Sequence, residues 1–282
     1  MIGAPALSRV DPTQSADEVA RALVELFEAI ETIPLKVSWV QRETERRLVG
    51  DGCSALAAAA RAIAQAIDAD AGLHDARPYH SRQHFCEVML SACVLCQLHG
   101  LRGRSTQFLL LAALIHDFEH DGRSNHEFRL ERASVARATP YLVAAGVSAD
   151  ARERLAALVL ATEPHHGVRA AVLAREFHAT GVISPPRFGD PAELRLLTND
   201  AELSHLAMLL CEADVLPSVG LTLNHALRLQ QMLATEWGRH LGSSDKLAFI
   251  DDVLSAGVIG PFFLPNVSAI RLEVAGRIDE PG

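Results

Sequence analysis

An all-α fold is what this sequence predicts, and three observations predict it. Ala and Leu are abundant while aromatic residues make up only 5% of the 282 residues, a mix that suits helices packed on helices better than sheets. Apolar residues recur at helical spacing behind recognisable start signals, segment after segment. No convincing alternating strand series interrupts them.

Residues 1–14 read as a frayed, disordered leader. Ser15-Ala16-Asp17-Glu18 has the Ser-x-x-Glu pattern of a capping box and opens an amphipathic helix through Ile30, which the Pro34 region breaks. Helices are expected over 36–48 and over the Ala-rich stretch 52–68. From residue 80 onward the expected helices are 82–98, 105–117, 126–138, 149–162, 191–197, 200–214, 221–240 and 244–256. Ser148 with Asp150 supplies one start, and the box Asn199-Asp200-Ala201-Glu202 supplies another. The stretch 164–190 is the least regular and reads as a loop over a pocket. No internal repeat or low-complexity linker divides the chain. Residues 15–75 are therefore expected to be helices that pack on a bundle formed by residues 76–282.

Composition narrows the function classes. Hydrophobic residues at 49% against 22% charged allow a sizeable core. A net charge of −9 without a long basic run argues against a polymeric nucleic-acid partner, but not against a small phosphorylated ligand beside a metal. The N-terminus lacks a basic stretch followed by an apolar one, and no apolar run approaches a membrane span. The five scattered cysteines read as reduced thiols, so the expected location is the cytoplasm, with no membrane partner. Cys93 and Cys96 form a CxxC without a second pair, a poor zinc ribbon. Trp39 and Trp237 read as packing residues, and His165-His166 as exposed loop residues, with a place lining the cleft as the alternative. Oligomeric state is left open.

Chemistry concentrates in three places. Phe108 to Ile115 is apolar on every side, and it delivers His116-Asp117 directly into what should be buried space. Polar groups placed there need partners, because an unpaired buried charge is costly. The run continues as His116-Asp117-Phe118-Glu119-His120-Asp121-Gly122-Arg123-Ser124-Asn125, where Gly122 permits a sharp turn. Upstream, Tyr79-His80-Ser81-Arg82-Gln83-His84 puts two histidines four apart on one helical face. Downstream, Cys211-Glu212-Ala213-Asp214 closes an apolar helix, and Pro217 marks its end. Imidazole and carboxylate together form a ligand set that can activate water at neutral pH.

In that order these motifs resemble the HD phosphohydrolase superfamily, and more fully a compact bacterial form of the class I 3′,5′-cyclic-nucleotide phosphodiesterases. The resemblance extends through Leu160-Ala161-Thr162-Glu163, Thr235-Glu236-Trp237 and Leu247-Ala248-Phe249 as far as Asp252. It implies a helical bundle around a binuclear centre, with two divalent ions, zinc at the tight site and magnesium or manganese at the second. His84, His116, Asp117 and Asp214 match the family's ligands, with Asp117 bridging to the second ion. His80 matches the general acid, and Glu236 the carboxylate that orients it. His120, Asn125, Glu131 and Glu163 match residues behind the ligands, and Phe249 matches the aromatic clamp of a nucleotide base. Lys246 falls where the family has a base-reading Gln, and its default reading is a solvated residue; contact with a phosphate is the other. Gln230 or Gln231 could take the base-reading role instead. Ser81 and Asp121 stand where Asn and Pro are usual.

The implied reaction is hydrolysis of cAMP or cGMP to the 5′-monophosphate by a metal-bridging hydroxide, with a small-molecule nucleotide as the partner. Two alternatives share the same ligands. One is another HD-type phosphohydrolase, acting on a nucleotide monoester, a cyclic dinucleotide or an alarmone. The other is a catalytically silent regulator that binds metal or nucleotide.

Overall fold

Helix follows helix along this chain in a computed structural model that describes residues 7–49, 54–123, 127–181 and 191–278. In order they are α1 (Ala16–Ile30), α2 (Lys36–Leu48), α3 (Ala55–Ala69), the single turn α4 (Ala71–His74), α5 (Arg82–Leu98), α6 (Gly103–Ile115) and α7 (Arg129–Ala144). There follow α8 (Ala149–Leu160), α9 (Gly167–Thr180), α10 (Arg195–Asn199), α11 (Ala201–Val219), α12 (Leu223–Trp237), α13 (Ser243–Ala256) and α14 (Leu264–Gly276). Short 3-10 turns cover Leu7–Arg9 and Ala192–Leu194, and no strand occurs among the described residues. The fold is all-α. Among the described residues, no single helix is long and apolar enough to cross a membrane.

Local chemistry fixes the boundaries. The Ser15 hydroxyl accepts from the Glu18 amide while the Glu18 carboxylate takes the Ser15 amide, a reciprocal cap that starts α1 where the sequence places it. Ser54 and Ser148 cap α3 and α8 in the simpler way. At α11 the cap is Asp200 rather than Asn199, its carboxylate accepting from the Leu203 amide at 2.9 Å. That shifts the expected box by one residue.

Three helices form the centre. α5 packs against α2, α6 and α11, and is buried without a break from Gln83 to Cys96. α6 is buried from Phe108 to Ile115, and α11 from Leu206 to Ala213. Helices apolar on all sides belong inside a larger bundle. α1 contacts α5 and α14, α2 lies on α5, and α3 on α6 and α7, so the N-terminal helices share the central core. One buried apolar cluster runs from Leu7 to Val274.

Several expectations need correction. The leader is not frayed from residue 7 onward: Leu7 and Val10 are buried, and the Arg47 guanidinium donates to both their carbonyls. Residues 1–6 of that expected leader lie outside the described residues. Pro217 does not end the helix after Asp214, since α11 runs on to Val219 with the proline inside. An interior proline forfeits a hydrogen bond, but Leu216 and Val219 are fully buried and packing holds the last turn. The first half of the expected 164–190 loop is α9, with Val168, Ala171, Val172 and Ala174 turned toward neighbours and Gly181 ending it at φ 75°. Residues 182–190 of that loop lie outside the described residues. α14, begun by Pro265 in its first turn, was not expected from the sequence.

Candidate metal centre and its histidine–carboxylate dyad

His84 lies in the first turn of α5, His116 caps the C-terminus of α6, and Asp117 begins the turn beyond it. Phe118 is fully buried and its amide bonds the Ile115 carbonyl, which pins that turn. Asp214 projects from the interior of α11. The C-terminal end of α6 carries the negative pole of its dipole, a favourable place for a cation.

The four side chains meet. His84 Nε2 lies 3.2 Å from Asp117 Oδ2 and 3.3 Å from Asp214 Oδ1. His116 Nε2 lies 3.3 Å and 3.5 Å from the same two oxygens, and 3.3 Å from His84 Nε2. An ion with ligands at roughly 2.0–2.1 Å in a tetrahedron separates them by about 3.3 Å, so His84, His116 and Asp214 are spaced for a single divalent ion, and Asp117 faces the same two imidazoles beside that trio. His116 Nδ1 donates to the Ala113 carbonyl at 2.9 Å, which leaves Nε2 as the lone-pair donor. The imidazoles are buried, whereas the Asp117 and Asp214 side chains are 15% and 25% exposed, so the open side of the centre is the carboxylate side. A structural ion would be closed off; this arrangement leaves room for a further ligand.

Charge argues the same way. Burial opposes protonation of His84, yet hydrogen bonds and charge from Asp117 and Asp214 raise it to about 9. His116 is held well above its usual range by the same carboxylates, again against burial. Burial would raise Asp117 and Asp214, but the imidazoles hold both well below the usual carboxylate range. Without a cation, protons are the counter-charge, and a divalent ion must displace them. Metal affinity should therefore climb with pH, about tenfold per unit for each proton displaced, and the slope should ease as pH passes about 9, where His84 gives up its proton.

Stability of the metal-free protein should run the other way. A histidine whose pKa is raised from 6.5 to about 9 contributes stability that is complete below pH 6.5 and lost as pH rises through 9. Chelator-treated protein should melt at a lower temperature at pH 9 than at pH 6.5, and added zinc should remove the difference. A melting temperature that stays flat across that window without metal would contradict the pairing.

Beside the centre lies a second constellation. His80 Nδ1 is 2.5 Å from Glu236 Oε1, and Glu236 Oε2 accepts the Tyr79 and His80 amides at 3.0 Å each. Burial raises the Glu236 carboxyl, but these contacts, led by the His80 side chain, bring it below its ordinary value. Both carboxylate oxygens are committed, so the imidazole is fixed in direction. His120 stacks on His80, with centroids 3.5 Å apart and planes within 16°. Burial pulls His120 down to about 4, and its Nδ1 accepts from the Gly122 amide, so the stacked ring is neutral. Gly122 has φ 74°, and a Cβ there would stand 3.1 Å from Glu236 Oε1, so backbone and site both demand glycine.

His80, His120 and Glu236 are close enough to hold an ion of their own, as are His84, His116 and Asp214. Stacked imidazoles, however, direct their in-plane lone pairs along parallel planes, which do not converge on one ion. The first trio is better suited to moving a proton, the second to binding metal.

Other expected site residues fall as follows. Glu131 is buried in the first turn of α7, and Asn125 lies outside the described residues. Glu163 Oε2 accepts the amides of His165, His166 and Gly167, and so caps α9. Lys246 is not solvated: it is 4% exposed, and its Nζ donates to the Ser218 carbonyl at 2.6 Å. That carbonyl is among the last of α11, where a cation satisfies the helix end. Burial lowers the Lys246 amine to about 8. Its Nζ also lies 5.6 Å from the ring of Phe249, which is 40% exposed. Gln230 spends its amide donors on the Leu241 and Gly242 carbonyls, anchoring the turn before α13. Trp237 is 42% exposed with Arg239 over its ring, and is not a packing residue.

Sequence reading gave Tyr79 no role of its own. Its ring lies against His80 and His84, and its hydroxyl is 2.8 Å from Ser218 Oγ. It also overlooked Glu87, buried one turn beyond His84 and 3.2 Å from His225 Nε2. A buried Glu inside an apolar helix was the available signal. No protein-family model matches the chain, and no curated protein matches it.

Proposed function

We propose that this protein is a metal-dependent phosphohydrolase of the HD type, and that its substrate is a 3′,5′-cyclic nucleotide hydrolysed to the 5′-monophosphate. The observation that carries the reading is the juxtaposition of two imidazoles and two carboxylates, spaced for an ion at 3.2–3.5 Å, with a separately held His–Glu pair. His84, His116, Asp117 and Asp214 would hold zinc, and Asp117 could extend to a magnesium or manganese ion at the open side. Bound there, the ions would activate water at neutral pH and offset charge on the phosphoryl oxygens.

The chain's own residues supply the rest. Glu236 fixes His80 through Nδ1, which leaves Nε2 as the ring nitrogen that would pass a proton to the departing alkoxide. The Tyr79 and His80 amides on the same carboxylate prevent the pair from drifting apart. Neutral His120 covers one face of His80 without adding a competing charge.

One observation favours a second reading, an HD-type enzyme with a different phosphoester. Lys246 is tied to the end of α11, and Gln230 to the turn before α13, so neither amide nor amine is free in the manner of a base-reading Gln. Metal analysis paired with a phosphoester screen under manganese or magnesium separates the two. Release of 5′-AMP or 5′-GMP from the cyclic substrate is the expected result. Turnover of monoesters alone would sink the cyclic-nucleotide reading, and protein that retains no metal would point to a silent regulator.

A further inference from the structure

Among the described residues beside the dyad, Arg77 is a cation left without an acid. It lies three residues before His80, and its Cδ is 3.4 Å from where a side chain at Gly122 would begin, the same point that Glu236 Oε1 approaches to 3.1 Å. Its stem therefore runs beside the dyad. Its Nη1 is buried with no hydrogen-bond partner, and Nη2 reaches only the Leu73 carbonyl, at 3.4 Å.

Acids nearby are already committed. Asp75 pairs with Arg82 at 2.5 Å, Asp70 with Arg137 at 2.8 Å and Asp121 with Arg129 at 2.7 Å. Glu119 also faces Arg137, and Glu236 is spent on His80 and two amides. Among the described residues Arg77 has no ion pair. Its charge is nevertheless felt locally, since it disfavours protonation of both His74 and His120. A buried guanidinium N–H without an acceptor is costly, and the anion best matched to its planar fork is a phosphate or carboxylate.

We propose that Arg77 is an anion-binding residue of this site, holding a phosphoryl oxygen of substrate or product beside the His80–Glu236 dyad. This rests on the phosphohydrolase reading for the identity of the anion, but not on the cyclic substrate. The monoester product, with its extra charge, would gain more from Arg77 than the diester.

The probe is inorganic phosphate, titrated calorimetrically into the manganese-loaded full chain, with melting temperature and metal content measured in parallel. Arg77→Met should weaken phosphate binding roughly tenfold to a hundredfold without loss of metal. Arg77→Lys, which keeps the charge but not the fork, should recover part of the affinity. Arg77→Gln serves if the Met variant fails to fold, with the same loss expected. Unchanged phosphate affinity in the neutral variants overturns the proposal, whatever happens to the melting temperature. In that case Arg77 is a structural residue that turns to the likewise unpartnered Nδ1 of His74. Wild-type protein that binds no phosphate overturns it too. Arg77-dependent phosphate binding in a protein inert toward cyclic nucleotides would remove that substrate and leave Arg77 in place.

Discussion

Asp214→Ala is expected to yield a folded protein that loses its tight ion and, with it, all hydrolysis above background. The substitution deletes one of two carboxylates that face both imidazoles, at 3.3 Å and 3.5 Å. Removing a partner behind a ligand already costs 10–100-fold in metal affinity, and a ligand should cost at least about a hundredfold. The side chain is a quarter exposed and leaves no large cavity, so helicity and the melting transition should survive. Elemental analysis after dialysis, alongside circular dichroism, checks both halves. A full complement of metal in the variant would mean that the ion sits elsewhere.

His80→Ala is the second large effect, and it should look different. Turnover should fall by roughly 10²–10⁴-fold, the usual contribution of a positioned general acid, while metal content stays at the wild-type level. A leaving group that needs no proton tells the roles apart. With an aryl phosphodiester the deficit should shrink markedly, because a phenolate departs without help. An equal deficit on both substrates would argue that His80 binds or orients rather than protonates. Metal loss in the variant would make it a ligand.

Much of this arrangement is legible in the order of the residues. His116-Asp117 follows a run with no polar face, and the structure buries His116 while leaving the Asp117 carboxylate at the edge of the core. The Ser15 box and the Ser148 cap are local chemistry, so their helices begin where the residues say. What failed was decided by tertiary packing. Pro217 reads as a terminator in isolation, but the surroundings of Leu216 and Val219 outweigh one missing hydrogen bond. His165-His166-Gly167 reads as a loop because the group that organises it, the Glu163 carboxylate, acts through backbone amides that leave no signature in residue type. Lys246 misled for a related reason. Its partner is the carbonyl of Ser218, 28 positions away in sequence, and a helix end has no letter of its own. Arg77 went unremarked because an unpaired cation can be recognised only once every neighbouring acid has been assigned.

The centre also has a consequence for the chain as a polymer. Its donors come from residues 84, 116 and 214, so an ion in place would tie together segments far apart in sequence. Such a tether removes loop-closure entropy from the unfolded ensemble, and it does so weakly more for longer loops. Cys86, Cys93, Cys96 and Cys211 are all free and buried, and none of them forms a disulfide. In this chain the staple that other proteins build from paired sulfur would be a metal ion, removable by a chelator and replaceable by adding it back.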